Sequence, residues 1–472
     1  MNARLTLRAL IAGLDAGRWS ALELAETALA KARHLDPTLH AFVTLAPDQA
    51  QAEARASDAR RRSGRRRGLL DGIPYAAKDL FLTRGLRTTA GSRVLGDFVP
   101  DHSARLVEQL AEAGAVMLGK TNMHEFAYGA TGQNGFTGTT TNPYDPSRLA
   151  GGSSGGSAAA VSSGVAAFAL GTDTGGSVRV PAALCGVVGY KPSYDRLSLE
   201  GTVPFCWSLD HAGLIAGSVE DVVLLADVLD AVPGGIGAEA LPARPPVIGL
   251  LSSWAERAEP AVRHGLGQAR AILSRHGARF VEVELPDQAE ARTVSLTLQL
   301  AEALAYHGPN LRRAGDAFGA DIRSGLAAGQ FLTAESYVQC QRMVVLYKRS
   351  MRRLFDEVDA LLLPACPITA PLVDATEARV GEAATPLGNA LTLYTSFFNL
   401  VGAPALVLPA GSDAAGLPVG VQIVGPQEAD ATVLALALRL ERGGLGSDCL
   451  PAPCLAEVDA ARTLHAVPHR TS

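Results

Sequence analysis

Two glycine- and serine-rich stretches lie close together near the middle of the chain. Residues 151–157 are GGSSGGS, and residues 171–181 are GTDTGGSVRVP. Tracts of this composition often form flexible linkers. A linker is not followed at once by a helix and a second glycine turn, however, and glycine is needed where backbone N–H groups approach a ligand or take a positive φ. The pattern therefore predicts a site in which two loops, joined by one helix, meet at the same end of a sheet.

Each of these loops carries serine, which becomes a nucleophile only when a base takes its proton. Histidine is the usual base, but none of the ten histidines has a recognisable partner pattern. Lys78 is the other candidate, because it follows the apolar run at 73–77, where burial would lower the pKa of its amine. Most of the basic residues are arginine, which cannot lose its proton. The few lysines are therefore candidates for chemistry that arginine cannot supply. The turn at 174–177 can point backbone N–H groups at a developing oxyanion.

Two further motif matches predict other functions, and we favour neither. Residues 114–121, GAVMLGKT, fit the P-loop expression, but a predicted helix precedes them and their own apolar segment resembles the strand, which is the wrong order for nucleotide binding. Residues 151–155 fit the GxSxG elbow of α/β-hydrolases, with Ser153 as the nucleophile. They follow a turn-rich loop, whereas that elbow should follow an apolar strand.

Hydrophobic periodicity and turn residues predict an α/β layered fold. Ser20 to Glu23 is a capping box at the start of an N-terminal helix. We expect strands at 116–118, 186–190, 247–251 and 280–285, and helices at 103–113, 158–170, 261–276 and over most of 298–359. Residues 233–246, rich in glycine and proline, are predicted to be a linker.

Composition narrows the class of protein. Hydrophobic residues make up 47% and charged residues 19% of the chain, and the net charge of −5 does not favour nucleic acid as a partner. The basic run at 60–67 is interpreted as a solvated loop. Six scattered cysteines, no signal peptide and no membrane-spanning run predict a cytoplasmic protein. No metal-ligand spacing is present, so we expect neither metal nor cofactor.

At these positions the chain resembles the amidase-signature family of serine amidohydrolases. The resemblance is densest from about 71 to 225, and weaker similarity follows at 399–404 and 420–425. It implies an α/β amidase-signature fold, with a large twisted mixed β-sheet covered by helices on both faces. It also implies a single domain over 1–472, comprising N-terminal helices at 1–70, a catalytic core at 71–232, a helical, substrate-side region at 247–360, and a return to the sheet with a C-terminal helix at 361–472.

The resemblance also implies a set of site residues. The nucleophile would be Ser177, the bridging residue Ser153 after a cis peptide bond, and the ultimate base Lys78. The oxyanion hole would be formed by the backbone N–H groups of Thr174, Gly175, Gly176 and Ser177. The supporting residues would be Gly152, Ser154 and Asp173.

The substrate is less well defined by the sequence. By analogy, the residues expected to line the acyl pocket are Met123, Phe126, Tyr128, Phe205, Cys206 and Trp207, although each is of a type that also packs in cores. Such a pocket favours a neutral amide with an apolar or aryl group. Carbamate or ester hydrolysis with the same triad is an alternative. Arg179 is expected to brace the loop rather than to bind a substrate carboxylate.

A second alternative is a glutaminase-type subunit of a transamidation complex. Subunits of that kind within the family carry a carboxylate seven residues before the asparagine of an Asn-Leu-x-Gly segment, where this chain has Thr392. Their basic partner aligns near Ser324 or Gly325, which are uncharged. We therefore expect a stand-alone amidase that acts on a small-molecule amide, without nucleic acid or membrane partners, and the sequence leaves a homodimer open.

Overall fold

The structure, a computed structural model, describes residues 6–237 and 240–447. Strands and helices alternate along much of this part of the chain. The strands are β1 (Phe42–Leu45), β2 (Pro74–Lys78), β3 (Val116–Thr121), β4 (Thr141–Asn142), β5 (Asp145–Leu149), β6 (Phe168–Asp173), β7 (Val188–Lys191), β8 (His211–Ala216), β9 (Val247–Leu250), β10 (Arg279–Glu282), β11 (Ala360–Pro364), β12 (Glu377–Val380), β13 (Ala383–Pro386), β14 (Ala405–Ser412) and β15 (Pro418–Val424).

The α-helices complete the element set. They are α1 (Leu7–Asp15), α2 (Ala21–Leu39), α3 (Pro47–Arg62), α4 (Arg105–Glu112), α5 (Gly155–Ser162), α6 (Arg179–Leu184), α7 (Val219–Val228), α8 (Ser252–Ala255), α9 (Pro260–Arg275), α10 (Gln288–Ala314), α11 (Ala320–Gly329), α12 (Ala334–Glu357), α13 (Leu387–Leu391), α14 (Phe397–Leu400) and α15 (Asp430–Arg442).

One mixed sheet organises the molecule. Within the described ranges it has eleven strands, in the order β1-β3-β2-β6-β8-β7-β14-β15-β11-β9-β10, and helices cover it, so the expected α/β amidase-signature fold is confirmed. Strands β3, β2 and β6 run parallel to one another, as do β11, β9 and β10, and the pairs between these two groups are antiparallel. Strands β2, β6 and β11 are buried along their whole length and mostly apolar, which is the pattern of a sheet enclosed between helices.

The pairing of β2 with β6 positions the two loops singled out in the sequence. Tyr75 lies opposite Phe168 and Ala77 opposite Leu170, so both strands end at the same edge of the sheet. Lys78 is the last residue of β2, and β6 leads directly into the second glycine turn. The carboxyl ends of parallel strands are where α/β proteins usually bind ligands.

Most of the expected elements are present. The capping box is formed by Ser20 and Glu23 at the start of α2. The helix expected over 158–170 is wrong at its second half, because α5 ends at Ser162 and Phe168 begins β6. The chain leaves the helix through Gly164, whose φ of +66° suits glycine. The strands expected at 247–251 and 280–285 are present as β9 and β10, and both belong to the main sheet.

The structure explains two other patterns. The P-loop match lies on strand β3, a fully buried strand with no glycine loop around a phosphate site. The basic run at 60–67 is not simply solvated, because Arg60 pairs with Asp71 at 2.5 Å and both Arg61 and Arg66 pair with Asp15 at 2.7 Å. No helix in the described part of the chain is long and apolar enough to cross a membrane.

Candidate active site

Lys78 is enclosed completely at the end of β2. Its Nζ donates to Ser153 Oγ at 2.7 Å and to Thr172 Oγ1 at 2.8 Å. Burial lowers the pKa of this amine to about 7, while the carboxylates of Asp210 and Asp173 act in the opposite direction. An amine with this pKa is substantially unprotonated near neutrality, so Lys78 has the protonation state that a general base requires.

The first glycine–serine loop brings Ser153 to that amine. The peptide bond between Gly152 and Ser153 is cis. Ser154, the next residue, donates its hydroxyl to the Thr172 carbonyl at 3.1 Å, and its backbone N–H donates to the Ser177 carbonyl at 3.1 Å. These two contacts join the first loop to β6 and to the second glycine turn. The structure thus brings Lys78 and Ser153 into direct contact.

Ser177 occupies the second turn, immediately before α6. The residue is 6% exposed, and its hydroxyl makes no hydrogen bond to any residue that the structure describes. Its backbone is held against Ser154, but no hydrogen bond joins Ser177 Oγ to Ser153 Oγ within the described ranges. Catalytic hydrogen bonds are often long before substrate binds. A serine hydroxyl left unpaired beside a buried amine–hydroxyl pair is available to a substrate carbonyl.

The second turn takes its shape from Asp173. Asp173 Oδ1 accepts from the backbone N–H of Gly176 at 2.8 Å, and Oδ2 accepts from that of Val178 at 3.1 Å. Burial opposes ionisation of this carboxyl, but the Arg179 guanidinium holds its pKa below the ordinary value. Arg179 also donates to Gln422 Oε1 at 2.6 Å. The structure therefore supports the loop-bracing role expected for Arg179.

The predicted oxyanion donors are not equivalent. The N–H of Gly176 is committed to Asp173, so it is not free to meet a ligand in this structure. In the part of the chain that the structure describes, the backbone N–H groups of Thr174, Gly175 and Ser177 have no partner. The hydroxyl of Thr174 donates to Asp210 Oδ1 at 2.6 Å, which fixes the start of the turn.

The six expected pocket residues divide into two groups. Met123 and Cys206 have no exposed surface and Phe126 is 2% exposed, so these three are enclosed by neighbouring side chains. The others remain candidates for substrate contact. The rings of Tyr128 and Phe205 lie 4.8 Å apart, and Trp207 is 45% exposed.

Several residues that complete the site were not predicted from the sequence. Thr172 holds the Lys78 amine, and its position just before the Asp-Thr-Gly-Gly-Ser segment was the only signal available. Asp210 organises a separate loop, since its Oδ2 accepts from the N–H groups of Phe205 and Cys206 at 2.9 and 3.0 Å. Asn399, the asparagine of the Asn-Leu-x-Gly segment, donates to the Asp173 carbonyl at 2.8 Å, a contact that the segment itself did not predict.

Comparison with known proteins agrees with this geometry. The profile of the family described as Amidase matches residues 23–434, most of the chain. The chain belongs to the amidase family. Members of this family among the solved structures are hydrolases of amide C–N bonds, and hydrolysis of such bonds is the activity class of this chain.

Individual amidase-family relatives are similar along nearly their whole length. A glutamyl-tRNA(Gln) amidotransferase subunit from Chloroflexus aurantiacus is 37% identical over 93% of this chain and 96% of its own. A crystal structure of an amidase is 38% identical with a TM-score of 0.87, covering 93% of this chain and 99% of that one. A structure from work on a vestigial protein complex and the origins of an s-triazine catabolic enzyme is 35% identical, also with a TM-score of 0.87, covering the same shares of both chains.

These relatives correct one expectation. We expected a stand-alone amidase rather than a subunit of glutamyl-tRNA amidotransferase, on the basis of Thr392 and of Ser324 or Gly325. That expectation is wrong, because several curated relatives at about 37% identity over most of the chain are named as subunits of glutamyl-tRNA(Gln) amidotransferase. The physical reason is that two positions change only local ligand contacts, whereas the similarity spans the sheet, both glycine turns and the helices around them.

Proposed function

We propose that this chain is the amide-hydrolysing subunit of a transamidation-type assembly, releasing ammonia from the side-chain amide of a donor such as glutamine. The observation that carries the chemistry is the buried contact of 2.7 Å between Lys78 Nζ and Ser153 Oγ, beside the unpaired hydroxyl of Ser177. The proposal that the chain works as a subunit is supported by relatives that are named as subunits of glutamyl-tRNA(Gln) amidotransferase. One structural neighbour also comes from work on a protein complex.

The reaction begins with a proton relay. Neutral Lys78 accepts the proton of Ser153, and Ser153 accepts the proton of Ser177 as the Ser177 oxygen attacks the amide carbon. Thr172 Oγ1, at 2.8 Å from the amine, keeps Nζ directed toward Ser153. Because Lys78 is fully buried, the protonated ammonium formed in this step is costly, and the nearby carboxylates of Asp210 and Asp173 offset part of that cost.

Attack generates a tetrahedral intermediate with a negative oxygen. The N–H groups of Thr174, Gly175 and Ser177 are the donors that we assign to this oxyanion, since Gly176 is bound to Asp173. The relay then returns a proton to the leaving nitrogen, the C–N bond breaks, and ammonia departs. Water attacks the acyl enzyme by the same route, releasing the carboxylic acid and restoring the Ser177 hydroxyl.

The test is ammonia release by the purified chain. Glutamine and simple primary amides are supplied in parallel, and ammonia is measured by a coupled enzyme assay with glutamate quantified separately. We expect equal amounts of ammonia and acid from the wild-type chain and neither from Ser177→Ala. Ser274→Ala, at an exposed position of α9, is the matched control and should retain full activity. Undiminished hydrolysis by Ser177→Ala would exclude the proposal.

A second candidate is hydrolysis of a neutral amide that carries an apolar or aryl acyl group. It is favoured by one observation, the contact of the Tyr128 and Phe205 rings beside the exposed Trp207. Carbamate and ester hydrolysis use the same acyl-enzyme chemistry. Matched amide, carbamate and ester substrates with one shared aryl acyl group separate these activities, and a preference for them over glutamine would favour this candidate.

A further inference from the structure

Arg292 on α10 is a largely buried cation that has no acidic partner. Its guanidinium donates to Thr392 Oγ1 at 3.2 Å and to Asn389 Oδ1, both of which are neutral. No carboxylate among the described residues lies within ion-pair distance, and burial alone lowers the pKa of this group. Arg179 shows the usual arrangement, in which a buried arginine faces a carboxylate. A largely buried guanidinium without a carboxylate partner is therefore a candidate binding site for an anion from outside the chain.

The acidic residues nearest to Arg292 along α10 are already engaged elsewhere. Glu290 accepts from the hydroxyl of Tyr347 at 2.7 Å, and Asp287 caps the helix by accepting from the N–H of Glu290 at 2.8 Å. A second cation is close, since Arg257 donates to Gln288 Oε1 at 3.3 Å on the first turn of α10. The Arg292 guanidinium therefore has no carboxylate of this chain in direct contact, and its own positive charge favours a carboxylate ligand over an ammonium group.

The face of α10 that carries Arg292 reaches the active site. Arg292, Ser295 and Gln299 are spaced by three and four residues and so share one face of the helix. Gln299 donates to Ser295 Oγ at 2.9 Å, and its Nε2 is 4.0 Å from the position that a Cβ on Gly175 would take. Seven helical residues span about 10 Å, so this face extends from the proposed oxyanion donor Gly175 to Arg292.

The segment opposite α10 covers the same interval. Thr395 donates to the carbonyl of Gly175 at 2.7 Å, and its N–H donates to the carbonyl of Thr392 at 3.2 Å. Thr392 in turn holds Arg292. Two adjacent segments, α10 and the residues from Thr392 to Thr395, therefore connect the glycine turn to the guanidinium.

We propose that Arg292 binds a carboxylate of the substrate, so that the substrate class is the ω-monoamide of a dicarboxylic acid. This assignment rests on the proposed function, since it requires that Ser177 attacks the amide at the other end. Glutamine belongs to the class through its α-carboxylate. The residues that contact the Arg292 guanidinium, Thr392 and Asn389, offer no carboxylate to its α-ammonium group, so a substrate without that group is favoured.

The experiment compares three amides of matched length, which are glutaramic acid, glutamine and pentanamide. The wild-type chain should show a kcat/KM for glutaramic acid that exceeds the value for pentanamide by about 10- to 100-fold, the range expected for a charge-assisted pair. Glutamine should lie between them. In Arg292→Gln the ratio should approach one, and Arg292→Lys should restore part of it. Arg312→Gln, an exposed arginine on the same helix, should leave the ratio unchanged.

Binding provides a second readout that does not require turnover. Glutarate should protect Ser177 of the wild-type chain from a fluorophosphonate label, and this protection should be lost in Arg292→Gln but not in Arg312→Gln. An unchanged ratio and unchanged protection in Arg292→Gln would overturn the assignment. Failure of the label to react with Ser177 at all, or full activity of Ser177→Ala, would instead overturn the proposed function, so the two failures are distinct.

Discussion

Arg179 binds Asp173 through two hydrogen bonds, from Nε to Oδ2 at 3.0 Å and from Nη2 to Oδ1 at 2.9 Å, with both side chains fully buried. The same carboxylate accepts the backbone N–H groups of Gly176 and Val178 on either side of Ser177. The ion pair therefore sets the backbone of the turn that presents Ser177. Because the pair is enclosed, neither charge can be satisfied by water if its partner is removed.

Removal of the guanidinium should therefore destabilise the protein strongly. We expect Arg179→Met to lower the free energy of unfolding by about 3–5 kcal/mol, because the Asp173 carboxylate would be left buried and unpaired. Urea unfolding followed by circular dichroism measures the change. Arg442→Met is the matched control, since Arg442 is 67% exposed in its pair with Glu220 and should cost less than about 1 kcal/mol. Equal losses in the two variants would show that Arg179 is not a buried brace.

Ser177→Ala should abolish turnover without affecting folding. The hydroxyl has no hydrogen-bond partner in the described structure, so its removal breaks no contact and the melting temperature should change little. Mass spectrometry of the wild-type chain treated with a fluorophosphonate should locate the label on Ser177. A label on Ser153 instead would favour the GxSxG elbow that we set aside.

The pH dependence of kcat/KM should follow Lys78. The amine must be unprotonated to act as a base, so activity should be low below its pKa of about 7 and should rise to a plateau above it. Lys78→Ala should lose several orders of magnitude at neutral pH and recover part of the loss at high pH. Lys78→Arg should be inactive throughout, because a guanidinium does not release its proton. Full activity of Lys78→Ala at pH 7 would contradict this assignment of the base.

Two adjacent glycines of the second turn should respond differently to alanine. Gly176 has a φ of +131°, and a Cβ there would lie 2.2 Å from Thr395 Oγ1. Gly176→Ala should cost about 1–3 kcal/mol of stability for the backbone conformation alone, with the steric conflict in addition. A Cβ on Gly175 would have its nearest neighbour at 3.8 Å, so Gly175→Ala should cost less than about 1 kcal/mol. Thermal unfolding of both variants tests this order, and a larger loss for Gly175→Ala would contradict it.

Local patterns were sufficient for much of the fold. The capping box of α2, the strand at Val116 and the helix of α9 each depend on neighbouring residues, and each was predicted. The boundary between α5 and β6 was misplaced, because Ala, Val and Leu at 158–170 suit a buried helix and a buried strand equally well. The helix ends before β6 because Gly164 adopts a positive φ and because β6 pairs in parallel with β2.

The sequence alone was sufficient to single out Lys78 and the two serine-bearing loops, because burial next to an apolar run and glycine-rich turns leave a local signature. Only the tertiary structure revealed that Thr172 orients the Lys78 amine, that Arg179 braces the turn by pairing with Asp173, and that Arg292 lacks an acidic partner among the described residues. The physical reason is that a charge is compensated by whatever the fold places within a few ångströms. Lys78 and Ser153 are 75 positions apart, and they meet because β2 pairs with β6 and Ser154 binds the Thr172 carbonyl of β6.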